Sequence, residues 1–175
     1  GGLNQTNLRT LMAFSSINHL GWIISSLTIS ESLMITYFLF YVFLSISTIM
    51  IFMNFKIYHF LQINPHMNLF PMGKFFLFSN LLSMGGLPPF LGFLPKLLVI
   101  QNLLKINDYF LIFIMMMTAL ITLFFYIRIS YSSLLILSTN LKWMKSFYFN
   151  SKILFFISSI SLFGLIFILM FSYLF

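Results

Sequence analysis

The chain has 175 residues, 61% of them hydrophobic and only 6% charged, with a mean hydropathy of +1.05. A soluble domain carries about 25% charged residues to face water, so this composition excludes one and requires an integral membrane protein. The net charge of +7 does not signal nucleic-acid binding, because the basic residues fall between apolar runs rather than on one polar face among aromatics.

The first apolar segment runs from about Leu8 to Leu27 and is the most polar of them, with S-S-I-N-H-L-G-W across Ser15–Trp22. Ser15, Asn18, His19 and Trp22 are mostly three or four apart, which puts them on one helical stripe. In lipid such a stripe faces other helices or a cavity. His19 is a candidate proton-relay member, since imidazole titrates nearest to neutral pH. The competing reading is a neutral imidazole held in an interhelical hydrogen bond. The second segment, Ser32–Met53, carries no charge and is long enough to span.

The third segment, Phe75–Leu104, contains M-G-G-L-P-P-F-L-G-F-L-P-K-L at residues 84–97 and a single charge, Lys96. Fully helical it would measure about 45 Å, more than the roughly 30 Å of hydrocarbon. A break is expected around Gly85, Gly86, Pro88 and Pro89, because proline removes the i→i−4 donor and clashes with the preceding turn. Gly92 and Pro95 extend the irregular stretch. Irregular backbone at membrane depth is tolerated only against protein or a water-filled cavity, and interrupted helices mark ion sites in transporters. Lys96 is therefore read as a protonatable residue on a hydrated path. The alternatives are a side chain snorkelling to the headgroups and a packed neutral amine. No carboxylate occurs within any apolar run, so an acidic partner would come from further sequence or from another subunit.

The fourth segment is Tyr109–Ile127, closed by Arg128, and the fifth is Ile153–Phe175. Met115–Met117 reads as lipid-facing or packing residues, not as a copper site. Asn64-Pro65 and Pro71 mark turns in the long link Asn54–Lys74. The whole chain, 1–175, is expected to be one all-α polytopic domain of five transmembrane helices with the third interrupted. The long runs lack the strict alternation of barrel strands. Five crossings place Arg9, Lys56, Lys74, Arg128, Lys142, Lys145 and Lys152 on one side, and Glu31, Lys105 and Asp108 on the other. The basic side is expected to face the cytoplasm or a mitochondrial matrix, with the C-terminus opposite. The chain opens on Gly1 with no basic n-region ahead of a cleavable stretch, and is expected to be a piece of a longer one.

No motif for nucleotide binding follows a strand here, and cysteine is absent, so there is neither a disulfide framework nor an iron–sulfur ligand set. His59 and His66 lie in a link, without the spacing of a zinc site.

Two stretches resemble a known family: G-G-L-N-Q-T-N-L-R-T-L-M-A-F-S-S-I-N-H-L-G-W at 1–22, and L-S-M-G-G-L-P-P-F-L-G-F-L-P-K-L-L-V-I-Q at 82–101. Both look like the subunit 2 family of mitochondrial NADH:ubiquinone oxidoreductase, respiratory complex I, in an arthropod-like form and over its C-terminal half. The T-x-x-x-x-x-F-F-Y-x-R-x-x-Y-S pattern from Thr118 agrees less specifically. The resemblance implies a core subunit of the membrane arm that contributes to proton translocation coupled to electron transfer from NADH to ubiquinone. It maps Lys96 onto the central lysine of the family's interrupted helix and His19 onto its hydrophilic axis. Gly85, Gly86, Pro88, Pro89, Gly92, Pro95, Ser15 and Asn18 are the supporting residues. Where relatives often carry L-R-K, this chain has Leu8-Arg9-Thr10.

The implied setting is the mitochondrial inner membrane, basic loops on the matrix side and C-terminus in the intermembrane space. Partners would be other membrane-arm subunits and lipid, with no nucleic acid. NADH, FMN, iron–sulfur clusters and ubiquinone would bind elsewhere in the complex, and no cofactor or metal on this chain. The other functions the sequence leaves open are a cation/proton antiporter subunit and a purely structural membrane-arm subunit.

Overall fold

The computed structural model describes residues 1–63, 71–135, 158–161 and 164. Five helices follow in order: α1 Leu8–Leu27, α2 Glu31–Phe55, α3 Pro71–Gly85, α4 Phe93–Ile106 and α5 Tyr109–Leu135. Residues 158–161 and 164 are also helical. The rest of the expected fifth segment, Asn64-Pro65, Lys142, Lys145 and Lys152 lie outside the described residues.

Local chemistry sets the helix ends. Ser30 caps α2, its hydroxyl accepting from the Leu33 amide at 3.4 Å, and Glu31 places a negative charge in the first turn. That moves the start of the expected second segment one residue earlier. The helix closes at Lys56, which adopts a left-handed φ of 50°. The Lys56 amide bonds the Met53 carbonyl and the Ile57 amide bonds Phe52, the paired bonds of a Schellman stop. At α3, Pro71 occupies the first helical position, where a missing N–H is no loss.

Two expectations shift at the third and fourth segments. The interruption falls at residues 86–92 rather than 85–89, with Gly85 still helical. Arg128 lies inside α5, not beyond it. Its guanidinium donates to the carbonyls of Leu3 and Gln5, so the helix continues past the apolar stretch while holding the N-terminal segment.

The distribution of side chains is inverted relative to a water-soluble bundle. Ser15, His19, Ser47, Thr48, Asn80, Ser83 and Lys96 are buried, while Phe110, Phe113, Met117, Leu120 and Phe124 lie exposed along α5. Those five recur at three and four residues, so α5 presents a continuous apolar stripe outward. Water would penalise that surface and hydrocarbon does not, so the fold is all-α and membrane-associated. Among the described residues, two helices are long and apolar enough to cross a membrane, Glu31–Phe55 and Tyr109–Tyr131. The helices α3 and α4, 15 and 14 residues long, each reach only about 21–23 Å.

Two apolar clusters hold the helices together. One joins Leu11, Leu44, Phe52, Leu81 and Tyr126 across α1, α2, α3 and α5. The other, Trp22, Tyr37, Val99, Leu103 and Met115, ties α1 and α2 to α4 and α5.

Four of the described basic residues, Arg9, Lys56, Lys74 and Arg128, gather at one end. The Leu8 amide bonds the Tyr58 carbonyl at 2.9 Å, bringing the start of α1 to the end of α2, and Arg9 lies over the Tyr58 ring at 4.7 Å. Gly73 abuts the Phe55 ring, which brings Lys74 to the same end, and Arg128 reaches Leu3 and Gln5 there. Glu31, Lys105 and Asp108 sit at the turns of the opposite end.

Candidate functional site

The site is built from the double proline outward. In an uninterrupted helix the Met84 carbonyl would accept from residue 88 and the Gly85 carbonyl from residue 89. Both positions are proline and have no N–H, so two carbonyls at the end of α3 lose their donors. Lys96 supplies the replacement. Its Nζ donates to the Gly85 carbonyl at 2.8 Å and to the Met84 carbonyl at 3.3 Å. The side chain is 5% exposed, so without these bonds the ammonium and both carbonyls would be buried unpaired.

The helix dipoles explain the direction of the side chain. Lys96 sits in the first turn of α4, whose N-terminus carries partial positive charge and disfavours a cation. It reaches back across the break to the C-terminus of α3, which carries partial negative charge. A favourable helix-end charge is worth about 0.3–1 kcal/mol exposed and up to about 2 when partly buried. Among the described residues no carboxylate shares this environment, so peptide dipoles balance the charge.

The glycines of the break act differently from one another. Gly86 has φ +83°, and an added Cβ would lie 2.8 Å from Lys96 Cδ and 2.9 Å from Nζ. It also ends α3: its amide bonds the Ser83 carbonyl at 3.0 Å and the Leu87 amide bonds Leu82 at 3.4 Å. Gly92 packs so closely on α3 that a Cβ would overlap the Ser83 carbonyl oxygen. Gly85 is not sterically required, since a Cβ there would make ordinary 3.6 Å contacts with Leu123 and Tyr126. Its contribution is its carbonyl. Pro88 and Pro89 are exposed, and Pro95 is buried in the first turn of α4.

His19 lies on α1 within electrostatic reach of Lys96. Its Nδ1 is 3.1 Å from the Tyr37 hydroxyl, and its ring centroid is 4.9 Å from that of Tyr41. Trp22, one turn along, stacks parallel to Tyr37 at 6.3 Å and faces Lys96 Nζ at 5.9 Å. The expected stripe therefore divides. Trp22 turns toward the lysine and His19 toward Tyr37 and Tyr41. Asn18 is half-buried and its amide donates to Thr122 on α5 at 3.3 Å. Ser15 donates to the Met12 carbonyl at 2.7 Å and lies beside the Tyr126 hydroxyl.

Three further groups join the site without an obvious signal in the sequence. Tyr37 sits in an apolar run, where its hydroxyl passes as packing. Asn80 accepts from the Ser161 hydroxyl, and its own amide nitrogen is buried with no partner among the described residues. The Ser161 carbonyl also accepts from the Leu91 amide at 3.3 Å, so residues 158–161 brace the break. The lone amide of Asn80 among apolar neighbours was the one readable clue.

A family described as NADH:quinone oxidoreductase/Mrp antiporter, TM, matches residues 1–122. NADH-ubiquinone oxidoreductase chain 2 of Aedes aegypti is 56% identical over 144 residues, covering 82% of this chain and 42% of the relative. The chain 2 protein of Anopheles gambiae is 52% identical over 162 residues, 93% of this chain and 46% of the relative. That of Anopheles albimanus is 50% identical over 164 residues, 92% of this chain and 96% of the relative. The chain belongs to the NADH-ubiquinone oxidoreductase chain 2 family. All three relatives are from insects, in line with the arthropod-like resemblance. The chain spans less than half the length of the Aedes aegypti and Anopheles gambiae chain 2 proteins. Both stretches that carry the chain 2 resemblance fall within the matched residues 1–122, and they contain His19, Trp22 and Lys96.

Proposed function

We propose that this chain serves in the membrane arm of NADH:ubiquinone oxidoreductase, where it contributes to proton translocation coupled to electron transfer from NADH to ubiquinone. The observation that carries the reading is the Lys96 ammonium, buried at an interrupted helix and held by two carbonyls that Pro88 and Pro89 leave without donors. Such a charge is bistable. Protonated, it donates to both carbonyls with the added strength of its charge; on losing its proton it holds them more weakly, and on swinging away it leaves them unpaired, and the break responds. His19, with Tyr37, is the second member of the path, and Gly86 and Gly92 set the geometry of the break. Redox chemistry occurs elsewhere in the complex, because this chain brings no cysteine or nucleotide motif.

The finer architecture belongs to the same proposal. One domain crosses the inner mitochondrial membrane five times, and α3 and α4 together make a single interrupted crossing. The end bearing Arg9, Lys56, Lys74 and Arg128 faces the matrix. Other membrane-arm subunits cover the exposed apolar faces. The absence of cysteine from these 175 residues helps to make orientation testable, since an introduced thiol is the only one within them. In intact mitoplasts, a membrane-impermeant maleimide is expected to modify Asp108→Cys, and Lys56→Cys only after the membrane is opened. The reverse pattern would invert the topology.

A second reading has its own support: the same two hydrogen bonds make Lys96 a structural cap for α3. Proton uptake and NADH:ubiquinone turnover in the assembled complex separate the readings. A proton path predicts that Lys96 variants lose pumping per assembled complex; a cap predicts loss of the complex alone. His19→Leu is expected to lower pumping roughly fivefold, the scale of one lost neutral hydrogen bond of about 1 kcal/mol. An unchanged rate would remove His19 from the path.

A further inference from the structure

We infer that Trp22 is a positioning residue for Lys96: its indole face holds the ammonium over the break and bridges it to the His19–Tyr37 pair. The inference rests on the proton-path reading of Lys96 and adds a residue to it. Two carbonyls take two of the three ammonium N–H donors, at 2.8 and 3.3 Å. The indole centroid, 5.9 Å from Nζ, lies within the range at which an aromatic face attracts a cation. Trp22 is fully buried, so water does not screen that attraction.

The ring has an aromatic neighbour of its own. Tyr37 lies parallel to it, with only 3° between the planes, and Tyr37 in turn bonds His19 at 3.1 Å. Lys96, Trp22, Tyr37 and His19 therefore form one continuous contact path from α4 through α1 and α2. Among the described residues the Trp22 Nε1 has no hydrogen-bond partner, so it is the ring face that makes the polar contact seen here. A packing role would be met by any large apolar side chain. A ring face is required only if the cation matters.

The test compares Trp22→Phe, which keeps an aromatic face, with Trp22→Met, which keeps apolar bulk, each with Lys96 and with Lys96→Met, in the assembled complex. Trp22→Met is expected to cut proton uptake per assembled complex about tenfold, the scale of a desolvated cation–π contact. Trp22→Phe is expected to retain most of it. In the Lys96→Met background Trp22→Met is expected to change nothing further, because the pair acts as a unit. If Trp22→Met prevents assembly beside Lys96 and assembly returns with Lys96→Met, the pairing stands. Equal losses for Phe and Met, no loss for either, or the same defect in both backgrounds would overturn it. Wild-type pumping in Lys96→Met alone would instead sink the proton-path reading, and this inference with it.

Discussion

Lys96→Met is expected to lower proton uptake per assembled complex about tenfold or more, a barrier increase of about 1.4 kcal/mol or more. On the proposed function, in which the two processes are coupled, NADH-driven ubiquinone reduction is expected to fall with it. Methionine matches the length of the lysine stem but brings neither charge nor donor. It also leaves the Met84 and Gly85 carbonyls without Nζ, and each buried unpaired carbonyl costs about 1–3 kcal/mol. The amount of assembled complex should therefore decline as well. Lys96→Gln separates the two effects. Its amide still offers N–H donors to a carbonyl but carries no titratable charge, so it is expected to recover assembly and not pumping. Blue-native electrophoresis and proton uptake on the same preparations measure both quantities.

Gly92→Ala is expected to be the most damaging of the glycine substitutions. The new methyl would overlap the Ser83 carbonyl oxygen and lie 3.2 Å from the Leu44 side chain. Overpacking a tight contact costs about 1–3 kcal/mol, and a backbone carbonyl yields less readily than a rotamer, so the upper end applies. The relief available is to move α4 away from α3, which draws Lys96 off its two carbonyls. Both assembly and pumping should fall steeply. Gly85→Ala is the control, because its methyl would meet only ordinary contacts. Wild-type levels of complex with Gly92→Ala would mean that α3 and α4 approach less closely than the structure has them.

How much of this was legible in the sequence depended on which effect set each feature. The span of α1 was readable because lipid admits little besides helix, and Ser15, His19 and Trp22 kept its inner face polar. The interruption was readable from Pro88-Pro89, although its limits were not. Gly85 stays helical since the stop is made by the left-handed Gly86, and the helix restarts at Phe93 after Gly92 has passed Ser83. The continuation of α5 through Arg128 was hidden, because a charge after an apolar run looks the same whether it ends a helix or anchors a distant segment. Lys96 could be singled out by its isolation. Its partners could not: the two carbonyls are backbone atoms, and Trp22 and Tyr37 come from other helices. Asn18 shows the opposite error, since spacing grouped it with His19 while packing turned it to Thr122.

The most direct test of the whole account is the number of protons taken up per NADH oxidised by vesicles carrying the complex with Lys96→Gln, normalised to assembled complex. The account predicts near-normal assembly with proton uptake depressed about tenfold. Wild-type stoichiometry and rate would contradict it, and would make Lys96 a cap for the end of α3 with no part in moving protons.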